Sequence, residues 1–272
     1  MLYENIMKIF DTITFFKENL VTNLRFEILD DKVDYFVICE SSFDHKGNKK
    51  KLNFRLDNEK FKNRIIYIVL DEPFAKPNDP WKNQAKQREY IFNGIKYANS
   101  EDFIMFSDPD EIPNPEILNK LILKKKYGIF MQNCFCYKLN LFNQFESPWE
   151  GTRICKMRDL KSINYMRQNI KKNNISAPFW KIFKERSIQL VENGGWHFNS
   201  LFSAEDISLK LKTFAHMEFA HSDFSDLNTI KKNILEHRDL FMRNRVYKKV
   251  SLDEKFPKYI LDNKNKFKEW II

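Results

Sequence analysis

The apolar run Phe103-Ile104-Met105-Phe106 ends abruptly, and the positions just beyond it hold three carboxylates: Asp108, Asp110 and Glu111. A run this short, bounded by turn signals, is that of a buried strand. Pro109, Pro113 and Pro115 prevent it from continuing as strand or helix. Carboxylates at the carboxyl end of a strand in an α/β sheet sit where such sheets bind ligands. An Asp-x-Asp turn can aim two oxygens at one hard cation, and such cations commonly hold a substrate's phosphates. A solvated acidic loop is the competing explanation.

The flanking sequence sets this strand in an alternating pattern. Residues 8–13, 33–39, 65–70 and 102–107 are strand-like, and residues 19–29 and 83–99 have helical spacing. Alternation of this kind predicts a mostly parallel central sheet flanked by helices. Residues 46–51 form a basic loop, and 73–80 a proline-rich connection. Beyond Asp110 the pattern changes. Strands are predicted within 128–141, 153–157 and 180–191, and helices over 225–242 and from Ser203, where Glu205 and Asp206 favour a helix start. The aromatic tail 256–272 is expected to dock on the domain. With no repeat or linker, 1–272 is taken as one domain, with a donor half to about residue 115 and an acceptor half beyond.

Composition limits the remaining possibilities. A hydrophobic content of 43% excludes a disordered chain, and a net charge of +9 permits anionic partners. No stretch of about eighteen apolar residues predicts a membrane span, and no signal peptide is evident. Cys39, Cys134, Cys136 and Cys155 have the wrong spacing for a zinc site and are expected to be buried thiols. Residues 161–186 hold seven basic residues against Glu185 alone. The expected reading is a solvated basic loop; the patch could also meet an anionic acceptor or a membrane surface. Without a recognition motif, nucleic acid is not expected, and a basic nucleic-acid-binding protein is the alternative set aside.

Several residues could carry chemistry. Arg88 falls on the apolar stripe of 83–99, so it needs an anionic partner: either a structural salt bridge, the Asp108–Glu111 carboxylates, or a ligand's phosphates. Glu40 ends the second strand, where a carboxylate could bind a ribose; it could equally be a loop acid. In Gly194-Gly195-Trp196-His197 the glycines allow a tight turn, and His197 is either structural or a metal ligand. His216, Glu218, His221 and Asp223 cluster in sequence without the His-Glu-x-x-His of a zinc hydrolase. A carboxylate there could act as a general base. Trp149 and Trp196 are candidate surfaces for stacking a sugar.

In order along the chain, these segments resemble glycosyltransferase family 17. The likeness rests on Phe15-Phe16-Lys17-Glu18 with Arg25 and Leu29, Cys39-Glu40-Ser41, Trp81 with Gln87-Arg88, Asp108-Pro109-Asp110-Glu111-Ile112-Pro113, Gly195-Trp196-His197, Glu218 and Pro257. The resemblance implies a GT-A-like fold. It also implies inverting transfer of a sugar, GlcNAc by analogy, from a UDP-sugar to a glycan or glycoconjugate hydroxyl, with Mn²⁺ or Mg²⁺; a GT-A transferase using a different nucleotide sugar is the alternative. Asp108, Asp110 and Glu111 match the family's acidic motif, and His197 is expected to join them as a metal ligand. Arg88, Glu40, Asp108 and Trp196 are expected around the donor. Glu218 is the first choice for the base, followed by Asp223 and Glu150. The family's animal members have an N-terminal membrane anchor that this sequence lacks. The expectation is therefore a cytoplasmic enzyme, soluble or peripherally membrane-associated, of bacterial or viral source.

Overall fold

The structure, a computed structural model, describes residues 7–75, 79–213 and 222–272, without the side chains at 222 and 223. The chain opens with β1 (Ile9–Phe15), α1 (Asn19–Leu29), β2 (Tyr35–Ser41), β3 (Ile65–Leu70), α2 (Pro80–Tyr90), α3 (Phe92–Ile95) and β4 (Phe103–Ser107). The strand order here is β3-β2-β1-β4, all parallel. The chain lays β2 and β3 on one side of β1, then returns to place β4 on the other. The loops leaving β1 and β4 therefore part at a topological switch point, where open α/β sheets form a crevice.

These strands are covered on both faces, and their side chains alternate accordingly. Ile13, Phe15, Phe36, Ile38, Phe103 and Met105 join the core beneath α1. Phe10, Val37, Cys39, Ile104 and Phe106 join a second core with Ile91 and Ile95. All four cysteines are buried free thiols, as expected. Burial pushes the Cys39 thiol up to about 12.

The second half continues with β5 (Glu111–Pro113), α4 (Pro115–Asn119), β6 (Tyr127–Cys136), β7 (Leu141–Phe142), β8 (Trp149–Lys156), α5 (Ile163–Asn169), β9 (Ile188–Val191) and β10 (Gly195–Asn199). It ends with α6 (Ala204–Thr213), α7 (Ser222–Ser225), α8 (Leu227–Leu235), β11 (Lys248–Lys249) and α9 (Lys258–Asp262). β8 lies antiparallel between β4 and β6, so one sheet runs through both halves and is mixed beyond β4. The tail docks as expected, with Ile260 and Phe267 buried in the α1 core. No helix among the described residues is long and apolar enough to cross a membrane.

Several boundaries depart from expectation; the helix predicted over 83–99, for instance, divides into α2 and α3 and ends at Ile95. The helix predicted from residue 83 starts at Pro80, because Asp79 caps it by accepting from Lys82 N and proline is favoured in a first turn. The strand predicted over 180–191 begins only at Ile188. Its partner β6 starts at Tyr127, paired with Ile188, so the preceding residues meet no neighbour in the sheet. The helix predicted over 225–242 stops at Leu235; His237 takes a left-handed φ of 57°, and Arg238 bridges to Val246.

Candidate functional site

The acidic turn lies at the switch point, held by arginines from three elements. Arg25, on the buried face of α1, donates to both Asp11 oxygens at 2.5 Å, to Ser107 Oγ at 2.8 Å and to the Glu111 carbonyl. It ties β1 to β4 directly beneath the turn. Arg88, on α2, lies 3.7 Å from Asp108 Oδ1 and is buried over the Phe106 ring. Arg167, on α5, donates to Asp108 Oδ2 and lies 2.9 Å from Glu111 Oε1. The anionic partner that Arg88 needs is Asp108, a contact that fits a structural salt bridge and an ordering role alike. Burial opposes ionisation of Asp108, but Arg167 and Arg88 together hold its carboxyl below the ordinary range.

β10 supplies the other wall. It pairs antiparallel with β5, setting His197 opposite Glu111, and Phe198 N donates to the Asp110 carbonyl at 2.8 Å. Gly195 makes this pairing possible. Its φ is +128°, and a Cβ there would stand 2.2 Å from the Ile112 carbonyl oxygen. His197 Nε2 consequently lies 3.6 Å from Asp110 Oδ1. Lys210 of α6 lies 3.9 Å from Asp110 Oδ2 and 3.3 Å from Glu18. Burial disfavours charge on both Asp110 and His197, yet each stabilises the other. Asp110 is held well below the usual carboxylate range, with Lys210 adding to the effect, and His197 is raised above the usual imidazole range.

Asp108, Asp110 and His197 face a cavity of about 410 Å³, a size typical of small-molecule sites. Toward β1 and β2 its wall includes Phe15, Phe16, His45 and Gln87; on the other side stand Trp149, Tyr137 and Arg243. Gln87 donates to the Cys39 carbonyl at 2.9 Å, and its Oε1 lies 2.8 Å from His45 Nε2. It fixes the imidazole of a loop residue against the sheet. Glu18 turns the chain after β1 by accepting from Phe16 N and Lys17 N at 2.8 and 2.9 Å.

Some predicted site residues have other roles. Glu111 is fully buried and accepts from Trp149 Nε1 at 2.7 Å and Asp108 N at 3.1 Å, besides Arg167. Its oxygens are committed to supporting the turn, so it is not free to bind a cation. Glu40 is also fully buried, accepting from Lys50, Asn53 N, Phe54 N and Tyr67. It anchors the 50–54 loop and has no oxygen left for a ribose. Trp196 belongs to the core, its indole donating to the Lys255 carbonyl. Trp149, its ring tilted against that of His197 with centroids 4.9 Å apart, is the tryptophan that lines the cavity. Glu150 accepts from Lys172 N and pairs with Arg153. Glu218, with His216 and His221, lies outside the described residues, as does the Asp223 side chain.

Among the described residues no three His, Cys, Asp or Glu side chains are grouped as around a metal ion. The expected four-ligand shell is therefore not preformed. Asp110 and His197 do present an oxygen and a nitrogen side by side on the cavity wall. That suits Mg²⁺ or Mn²⁺ bound through few protein groups and completed by phosphate oxygens and water.

Sequence reasoning missed Arg167, Lys210 and the His45–Gln87 pair. Arg167 looked like part of a solvated basic patch, but it follows Ile163 by four positions on the buried face of a short helix. The same cue had marked Arg88.

Residues 1–270 match the family model described as glycosyltransferase family 17. The chain belongs to glycosyltransferase family 17. Family relatives include the β-1,4-mannosyl-glycoprotein 4-β-N-acetylglucosaminyltransferases of rat and mouse, 24% and 25% identical over 277 residues. The human protein of that name is 24% identical over 276 residues. Each match covers 90% of this chain and 51% of the relative, so the chain spans about half the length of the curated relatives it matches. These relatives are mammalian and lend no support to a bacterial or viral source.

Solved structures of similar shape include the inositol-1-phosphate CTP transferase of T. maritima, at 11% identity and TM-score 0.35, covering 71% of this chain and 90% of that one. Another is glucosyl-3-phosphoglycerate synthase of Mycobacterium tuberculosis with Mn²⁺, UDP and phosphoglyceric acid, at 10% and 0.34, covering 94% and 91%. Likenesses at this level carry no argument for the site.

Proposed function

We propose that this family 17 protein transfers a sugar, GlcNAc by analogy with its relatives, from a UDP-sugar to a hydroxyl of a glycan or glycoconjugate, with inversion. The observation that carries this reading is the Asp108-Pro109-Asp110 turn. It is clamped at the β1/β4 switch point and opens, with His197, onto a cavity of ligand size. In this reading the diphosphate lies against Asp110, His197 and Lys210, and the nucleoside toward His45 and Phe16. Asp110 and His197 would hold a divalent cation, which when bound would stabilise negative charge on the departing diphosphate.

The chain's own groups do the rest. Arg167 and Arg88 fix the Asp108 carboxylate, so the turn keeps one shape as charge develops beside it. Lys210 adds a positive charge on the same side. Trp149 offers an indole face for the sugar. An acceptor hydroxyl would attack opposite the leaving group as a carboxylate takes its proton. Glu218 is our choice for that base, with Asp223 second; Thr213, the last described residue before that segment, lines the cavity.

The test is incubation with UDP-GlcNAc, Mn²⁺ and a panel of mannose-containing acceptors, followed by UDP release and product mass. Expected is acceptor-stimulated UDP release that disappears in Asp110→Asn, with inverted anomeric configuration by proton NMR. If no UDP-sugar in a panel is turned over, the proposal fails.

A further inference from the structure

Four strongly exposed apolar side chains sit together in one loop, on neither wall of the cavity. Phe179, Trp180, Ile182 and Phe183 are 79, 66, 88 and 73% exposed. Lys181 and Lys184 alternate with them and are exposed as well. A second loop joins this one. Lys124 N donates to Gln189 Oε1 at 2.9 Å, Lys126 N to Ser187 Oγ at 3.1 Å, and Gln189 Nε2 to the Ile122 carbonyl at 3.1 Å. That loop presents Ile122, 72% exposed, beside three exposed lysines at 124–126. The only acid within either run, residues 122–126 or 175–186, is Glu185, whose carboxylate accepts from Ser187 N. The loops precede β6 and β9, which run parallel to each other, and β6 runs parallel to β4 across β8, so their bases lie at the end of the sheet opposite the acidic turn.

Exposed apolar clusters of this kind mark interaction sites. The chemistry here is particular: aromatic and branched side chains projecting from irregular backbone, surrounded by lysines. Aromatic rings and lysine stems suit the bilayer interface, where the ring enters the acyl boundary and the ammonium meets lipid phosphates. From this combination we infer that residues 175–186 and 122–126 form a docking surface for an anionic lipid bilayer. The charge is complementary, and several basic residues beside inserted aromatics give the two signals that stable peripheral binding requires. This goes beyond the transferase reading and does not depend on it.

The test is co-sedimentation of the full chain with phosphatidylcholine vesicles, alone or containing phosphatidylserine, with size-exclusion light scattering alongside. Expected is binding to the phosphatidylserine vesicles only, weakened by high salt. Trp180→Ala with Phe183→Ala should reduce it by about tenfold or more. Lys181→Glu with Lys184→Glu should also reduce it, by at least about fivefold per lysine, and serves as the second variant should the first fail to fold. No binding to anionic vesicles overturns the inference, whether the chain is a monomer or forms oligomers that these substitutions dissolve. In the latter case the surface joins copies of this chain.

Discussion

Arg167→Met should cost this protein far more stability than a surface arginine would, and Glu111 is the reason. The Glu111 carboxylate is fully buried and keeps only Trp149 Nε1 and Asp108 N as donors if Arg167 is removed. Breaking a buried ion pair from one side costs about 3–5 kcal/mol, because the remaining charge stays desolvated. At roughly 2 °C per kcal/mol for a chain of this size, the melting temperature should fall by about 6–10 °C. Replacing both partners, Arg167→Met with Glu111→Gln, removes the stranded charge. The double variant should recover most of the loss, and the cycle should show a coupling of at least about 2 kcal/mol. Urea unfolding of wild type, both single variants and the double variant gives all four values. If Arg167→Met costs under about 1 kcal/mol, or the two changes simply add, Arg167 does not hold the acidic turn together.

Glu218→Gln should lower turnover by about 10²–10⁴-fold and leave UDP binding unchanged; loss of UDP binding would move Glu218 out of the base role. Gly195→Ala should disrupt the β5–β10 pairing, because the added Cβ meets the Ile112 carbonyl at 2.2 Å; circular dichroism melts should show a cost beyond about 3 kcal/mol. Asp239→Asn tests a pH effect. Burial opposes ionisation of Asp239, but Arg243 and Tyr247 hold its carboxyl below the ordinary range, so its stabilisation is present above pH ~4 and fades as pH falls through the depressed value. The variant should be less stable by roughly 1–3 kcal/mol at pH 7, and the gap should narrow below pH ~4; a gap independent of pH would contradict this.

The parallel part of the fold was legible because its strands are short apolar runs with helices of clear period between them. α1 and β3 fall where expected, and β4 delivers its carboxylates to the switch point. The acidic turn and His197 were legible as components, but their division of labour was not. Asp110 faces the cavity while Glu111, its neighbour, is spent on Arg167 and Trp149. Which carboxylate meets solvent depends on side chains that arrive from α5 and β8, and no local pattern encodes that. Glu40 illustrates the same limit, since its four donors come from the 50–54 loop and β3. The second half was harder because its strands pair out of chain order. Residues 180–184 have strand-like composition yet stay exposed, and the register of β9 on β6 explains why.

Calorimetric titration of UDP-GlcNAc into wild type and Asp110→Asn, each with and without Mn²⁺, tests the central claim most directly. The account predicts binding that requires Mn²⁺ in the wild type and is lost in the variant. Equal binding by both proteins, or binding indifferent to the metal, would contradict the placement of the diphosphate and its cation against Asp110 and His197.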